Sequence, residues 1–429
     1  MTGFALGVDE EEWCGRLRAL SAGRLRSLAE KGEPGRVNRP LLAALGEEGL
    51  LERVFVSGAL QLCLLRESLA YGCTEAETAL ALQGLGAYPV LRAGSRAQRE
   101  RWLPGVREGR LVAAFALSEP GAGSDAAALA LTAEPEGGRG AAAHTGGRAD
   151  TGAADTGAAG IGAGHGGVGS AGEEGAGDEG VRERPVDAGR VGGGWRLTGQ
   201  KRWISNAPEA DFYTVFARTG EGPGAKGITA FLVPADRPGL TGEALDMLSP
   251  HPIGSLSFDG VPVGPEDVLG EPGRGFRVAM DTLNLFRPSV GAFAVGMARA
   301  ALDATLAHTA GRGAFGGVLA DLQAVAHRVA EMATRTEAAR LLVYAAAGAY
   351  DGGSPEVPRR AAMAKLLATE TAQYVVDHAV QLHGAVALQR GHLLEHLYRE
   401  VRAPRIYEGA SEVQRTIIAK ELYREVAAR

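Results

Sequence analysis

The sequence predicts an α+β multidomain protein: an N-terminal helical domain, a small middle β domain of barrel or sandwich type, and a C-terminal antiparallel four-helix bundle. Three observations predict it. Apolar residues recur at three and four spacing before about residue 110 and again after about 270. Between them stand short β-prone runs bounded by Gly, Pro and Asp. At 429 residues the chain is also too long for one simple core, so two or three domains are expected.

Residues 1–111 read as helices on stripes such as Leu42, Leu45, Leu50 and Leu62, Leu65, Leu69, punctuated at Gly32-Glu33-Pro34-Gly35 and at Tyr88-Pro89. Residues 112–269 read as the β domain, with Phe212-Tyr213-Thr214-Val215-Phe216 and Ile228-Thr229-Ala230-Phe231-Leu232-Val233 as strands. An insert at about 135–193 breaks it. Of the forty residues from 141 to 180, fourteen are Gly and eleven Ala, too little apolar surface to offset ordering entropy, so a disordered loop is expected. Within it, Gly162-Ala163-Gly164-His165-Gly166-Gly167 satisfies the GxGxxG pattern but lacks the strand before and the helix after that a dinucleotide site needs. In residues 270–429, Val318, Leu322, Val325, Val329, Met332, Ala339 and Val343 form one helical stripe interrupted only by Thr336. Ala364, Ala368, Ala372, Val375, Ala379 and Leu382 form another, whose small residues let helices approach closely.

Hydrophobic content of 45% with 22% charged residues fits a soluble globular protein. Net charge is -6 and the basic residues are dispersed, which argues against nucleic-acid binding. No run of 18 apolar residues occurs and the first residues lack a basic n-region, so no membrane partner and a cytoplasmic location are expected. Cys14, Cys63 and Cys73 share no metal spacing and read as reduced thiols.

In Arg405-Ile406-Tyr407-Glu408-Gly409-Ala410-Ser411-Glu412-Val413-Gln414-Arg415 one carboxylate stands between a bulky aromatic and a glycine. Partial desolvation beside Tyr407 and Ile406 would raise its pKa toward that of a working base, and Gly409 would leave room for a substrate to approach; a solvated helix-terminal Glu is the alternative. His392-Leu393-Leu394-Glu395-His396 matches the HxxEH zinc signature, but lacks a further carboxylate ligand and reads as a polar helix face.

Three more segments precede Glu408 in order: Phe115-Ala116-Leu117-Ser118-Glu119-Pro120-Gly121-Ala122-Gly123-Ser124-Asp125, Gly194-Trp195-Arg196-Leu197-Thr198-Gly199-Gln200-Lys201-Arg202-Trp203-Ile204-Ser205-Asn206 and Arg312-Gly313-Ala314-Phe315-Gly316. Together the four resemble the acyl-CoA dehydrogenase family of flavoproteins. The resemblance runs from about Leu41 to Leu422 and breaks only at the insert.

The resemblance implies removal of an α-proton and a β-hydride from an acyl-CoA thioester, with FAD as cofactor, an electron-transfer flavoprotein as electron acceptor and a homotetramer as the assembly. Glu408 matches the family's usual base. Some members instead place a glutamate directly before an arginine, and here that slot in Asn284-Leu285-Phe286-Arg287-Pro288 holds Phe286. Phe115, Leu117, Ser118, Gly123 and Ser124 would line the flavin and its pyrophosphate, Trp203 and Ile204 would pack on it, and Ser205 would stand near N5. Without the flanking Gly199 and Asn206, Trp203 would read as a buried core aromatic. Arg312, Phe315, Gln323, Gln381 and Gly384 would reach FAD from a neighbouring subunit, and Ala410 and Glu412 would complete the cofactor contacts. Ser124, Arg287 and Gly409 would meet the acyl-CoA. Two departures stand out: Gly384-Ala385-Val386-Ala387 replaces a glycine-richer turn, and Ala410 replaces a threonine. Losing one such hydroxyl contact costs about 0.5–1.5 kcal/mol, too little to abolish a multi-contact FAD site. The competing readings are a carrier-protein thioester dehydrogenase, an oxidase or enoyl reductase on the same fold, and an inactive homologue serving as a scaffold.

Overall fold

A computed structural model describes residues 6–136, 193–220 and 224–427. The glycine-rich segment read as a disordered loop, with its GxGxxG pattern, lies outside the described residues.

The N-terminal helices are α1 (Val8–Leu20), α2 (Arg26–Ala29), α3 (Arg39–Glu47), α4 (Leu50–Val56), α5 (Ala59–Gly72), α6 (Thr74–Ala93) and α7 (Arg96–Arg107). Local chemistry starts two of them. Asn38 accepts from the Leu41 amide to cap α3, and Ser95 with Gln98 forms a reciprocal capping box on α7. Tyr88-Pro89 does not end a helix as expected, because α6 runs on to Ala93. Proline removes one hydrogen bond there, but Ala87, Tyr88, Pro89 and Val90 are all buried, and that packing outweighs the lost bond. All three cysteines are free and buried.

The middle sheet comprises β1 (Ala113–Ala116), β2 (Thr132–Pro135), β3 (Trp195–Ser205), β4 (Phe212–Arg218), β5 (Ile228–Pro234), β6 (Leu240–Ala244), β7 (Ile253–Val263) and β8 (Val268–Leu269). Its order is β6-β7-β3-β2-β4-β5-β8, with β1 paired in parallel to β4. Pro135 opposes Trp195, and the Glu136 amide donates to the Gly194 carbonyl at 2.7 Å, so the two ends of the glycine-rich segment emerge as hydrogen-bonded neighbours. Closing a loop between ends already paired depends only weakly on its length. Deleting Ala141–Gly180 should therefore leave the thermal midpoint and flavin content nearly unchanged, and a calorimetric drop of more than a few degrees would show that the segment supports the fold.

The rest is helical: α8 (Gly275–Gly311), a short hairpin of β9 (Gly313–Ala314) and β10 (Gly317–Val318), α9 (Gln323–Asp351), α10 (Val357–His383), α11 (Leu393–Glu400) and α12 (Ser411–Ala427). Helix α10 packs against α8, α9 and α12, and α5 packs across α8. The expected α9 stripe is shorter than its spacing suggests. Val318 lies in the hairpin and Leu322 at the helix N-cap, so the buried stripe begins at Val325; Thr336 sits within it because its hydroxyl donates to the Met332 carbonyl at 2.8 Å. By length and composition α8 could cross a membrane, although it has no run of 18 strictly apolar residues; 72% of its most apolar window is buried in the chain, as befits a core helix.

Candidate active site

Glu408 lies in the turn between α11 and α12, with φ at 50°, followed by Gly409 at 97°. Two successive left-handed residues need outside support, because a non-glycine residue there is strained. Three helices supply it through backbone carbonyls. Lys365 Nζ on α10 donates to the Gly409 oxygen at 2.6 Å, Gln414 Nε2 on α12 donates to the Gly409 and Glu408 oxygens at 2.9 and 3.1 Å, and Arg287 Nε on α8 reaches the Glu408 oxygen at 3.4 Å. Arg405 and Ser411, flanking the turn, both bind Glu370 of α10, at 2.9 and 2.6 Å.

Ile406 and Tyr407, beside Glu408 in sequence, are themselves exposed. Glu408 as a whole keeps some surface, yet its Oε2 is buried and has no hydrogen-bond partner among the described residues. Burial raises its pKa, and the Arg66, Lys365 and Arg287 cations draw it back. At Gly409 a Cβ would stand 2.3 Å from Gln414 Nε2, so only a glycine admits that clamp. Arg287, expected to touch acyl-CoA, is buried and holds the turn. Phe286, in the alternative base slot, is buried edge-on against Tyr88.

Arg66, Lys365 and Gln414 were not foreseen. Lys365 is fully buried and pushed down to about 8 by that burial. The available signal was charge inside an otherwise apolar helical run: Arg66 with Glu67 after Leu64-Leu65, and Lys365 in Ala364-Lys365-Leu366.

The second wall is the turn after β1. Phe115 packs on Phe216, Leu117 and Ile204 are buried, and Gly123 and Ser124 are exposed. No hydrogen bond holds the Gly123 or Ser124 amide among the described residues. Glu119 folds the turn: it accepts from buried Lys201 Nζ at 2.8 Å and from the Ala130 and Leu131 amides at 2.6 and 3.0 Å, while Lys201 also donates to the Leu117 carbonyl at 3.0 Å. The Arg202 amide reaches the Ser118 carbonyl at 3.0 Å. Register shifts between Lys201 and Ile204, and the bulge turns Trp203 outward at φ 57°, leaving it 46% exposed rather than in a core. Ser205 is half-buried beside Asn206, whose Nδ2 donates to the Ala113 carbonyl at 2.8 Å. Open glycine amides beside a re-aimed, half-exposed indole fit a flavin and its pyrophosphate.

The other expected cofactor residues lie on the outside of the single chain. Arg312, Gln323, Gln381, Gly384 and Glu412 are exposed, Ala410 is half-buried, and Phe315 is 91% exposed at the β9–β10 tip with φ at 53°. His392 and His396 do not converge. His392 Nδ1 accepts from the Leu394 amide at 3.1 Å, His396 Nε2 lies 2.6 Å from Thr74 Oγ1, and Glu395 pairs with Arg399 at 2.8 Å.

A cavity of about 350 Å³ lined by Tyr88, Arg92, Arg277, Asp281, Asn284 and Tyr350 adjoins this site. Asn284 accepts from Arg287 Nη1 at 3.3 Å, so one side chain separates the cavity from the clamp on Glu408.

Family models described as the N-terminal, middle and C-terminal domains of acyl-CoA dehydrogenase match residues 9–110, 172–261 and 273–423. The chain is 32% identical to a cyclohexane-1-carbonyl-CoA dehydrogenase of Geobacter metallireducens over 92% of its own length and 91% of that protein. Its fold resembles that of butyryl-CoA dehydrogenase from Megasphaera elsdenii, at 27% identity and TM-score 0.79, over 98% of this chain and 100% of that one. It also resembles a chain solved in work on the electron transferring flavoprotein of Acidaminococcus fermentans, at 28% identity and TM-score 0.80, over 99% and 100%. With three family domains in order and a fold matched end to end, the chain belongs to the acyl-CoA dehydrogenase family of oxidoreductases.

Proposed function

We propose that this protein dehydrogenates an acyl-CoA thioester between its α and β carbons, with Glu408 as the base. The observation that carries the reading is the Glu408 carboxylate, whose Oε2 is buried, without a partner among the described residues, and raised by burial toward the working range of a base. Bound FAD would supply the acceptor for the β-hydride. As the α C–H bond breaks, its proton passes to the Glu408 carboxylate and its electron pair forms the new double bond. Negative charge developing on the thioester oxygen would meet the Glu408 amide, which has no hydrogen-bond partner among the described residues. Ser124 and the Gly123 amide would hold the cofactor phosphates and the acyl-CoA, Trp203 would cover the flavin, and Arg92 and Arg277 in the adjoining cavity suit the phosphates of CoA. The exposed Arg312, Phe315, Gln323, Gln381 and Gly384 suit completion of the cofactor site by a second copy in a homotetramer. The Acidaminococcus neighbour supports an electron-transferring flavoprotein as the electron acceptor.

Purified protein should be yellow, and anaerobic addition of butyryl-CoA, cyclohexane-1-carbonyl-CoA or another acyl-CoA should bleach the flavin. A flavin-loaded protein unchanged by short, medium, branched and alicyclic acyl-CoAs would rule out this activity.

A further inference from the structure

Arg66 is a cation that no sequence motif explains. It sits on α5, only 3% exposed. Its Nε donates to Glu77 Oε1 on α6, and its Nη1 to Ser289 Oγ on α8 at 2.6 Å, while Ser289 donates onward to the Phe286 carbonyl at 2.7 Å. Three helices therefore converge on one guanidinium, bonded on α8 two residues from Arg287, whose Nε reaches the Glu408 carbonyl oxygen at 3.4 Å, and its charge opposes the burial that raises the Glu408 pKa.

Three cations from three helices act on Glu408, Arg66 from α5, Arg287 from α8 and Lys365 from α10, while Glu77 of α6 and Tyr407 of the same turn stand about Arg66. Beyond Glu77 stand His251 and Glu400, joined at 2.6 Å. Each of the three cations directs its hydrogen bonds elsewhere: Lys365 to a peptide oxygen, Arg287 to a peptide oxygen and the Asn284 side chain, Arg66 to Glu77 and Ser289. None binds the Glu408 carboxylate, so they attract its charge without occupying the lone pairs a proton must reach. A direct ion pair would hold the carboxylate as a weaker base.

We propose that Arg66, locked by Glu77 and Ser289, is a positioning residue whose buried charge holds Glu408 ionised and unclamped for the α-proton. The proposal rests on Glu408 being the base. Arg66→Met alone would strand Glu77, so the test uses Arg66→Met/Glu77→Leu, which replaces a buried pair by apolar groups of similar size. In the flavin-loaded full chain, the infrared band of the protonated Glu408 carboxyl, assigned by its loss in Glu408→Gln, reads the titration without substrate. Its midpoint should move up by about one pH unit or more in the double variant. One unit below the new midpoint, bleaching by an acyl-CoA that reduces the parent should be about tenfold slower, recovering to within a few-fold above it. Arg66→Lys, which keeps the charge, should hold the parent midpoint. A folded, yellow double variant with the parent's infrared midpoint would overturn the proposal. Parent-like bleaching in Glu408→Gln would instead remove Glu408 as the base, and the infrared shift separates the two failures.

Discussion

Glu408→Gln is expected to slow flavin reduction by roughly 10²–10⁴, the range a positioned general base supplies. The amide matches the carboxylate in size but cannot accept the α-proton. The turn should persist, because Lys365, Gln414 and Arg287 hold peptide oxygens and none binds the side chain. Flavin content and acyl-CoA binding should therefore survive. Stability should move the opposite way from activity. Burial raises the Glu408 pKa, so the ionised carboxylate costs the folded state at pH above that raised value, and the cost vanishes below the unfolded pKa, where both states are protonated. The variant's thermal midpoint should exceed the parent's at pH 8 and match it near pH 4. His392→Ala and His396→Ala, made as controls, should leave the rate within a few-fold. Stopped-flow reduction of Glu408→Gln at close to the parent rate would mean that the proton leaves by another route.

The second large effect is expected at Glu119. Lys201 is 0% exposed and has two acceptors, the Glu119 carboxylate and the Leu117 carbonyl. Glu119→Ala would strand that cation and also orphan the Ala130 and Leu131 amides, and removing one partner of a buried ion pair costs about 3–5 kcal/mol. The turn carrying Ser118, Gly123 and Ser124 is built on these bonds, so flavin should be lost with stability. Chemical denaturation and the flavin-to-protein absorbance ratio measure both. A stable, fully yellow Glu119→Ala protein would show that the turn is held by something else.

Glu408, Trp203 and the open turn at Gly123 and Ser124 were legible because each lies in a short segment whose residue order is itself the signal. What those residues rest on was not. Arg66 and Lys365 act on Glu408 from helices distant in sequence, and no local pattern records that charges on α5 and α10 bear on one turn. Pro89 obeyed burial rather than its local rule, and Val318 and Leu322 carry helical spacing into a hairpin and a cap. At His392 the zinc-like spacing is real, but one ring is turned back to cap its own helix and the other is drawn to Thr74. Spacing states which side chains could share a face; only the neighbouring elements decide whether they do.

The clamp on the Glu408 turn has an evolutionary consequence. Lys365, Gln414 and Arg287 grip oxygens that every amino acid possesses, so the frame is indifferent to which side chain is displayed at 408. The backbone itself discriminates only through its left-handed conformation, which asparagine and aspartate tolerate better than most residues. A lineage could exchange the reactive group at this position, and with it the chemistry, through single substitutions that leave the architecture in place. Such a position is a natural branch point from which new activities arise before any loop or pocket has been remodelled.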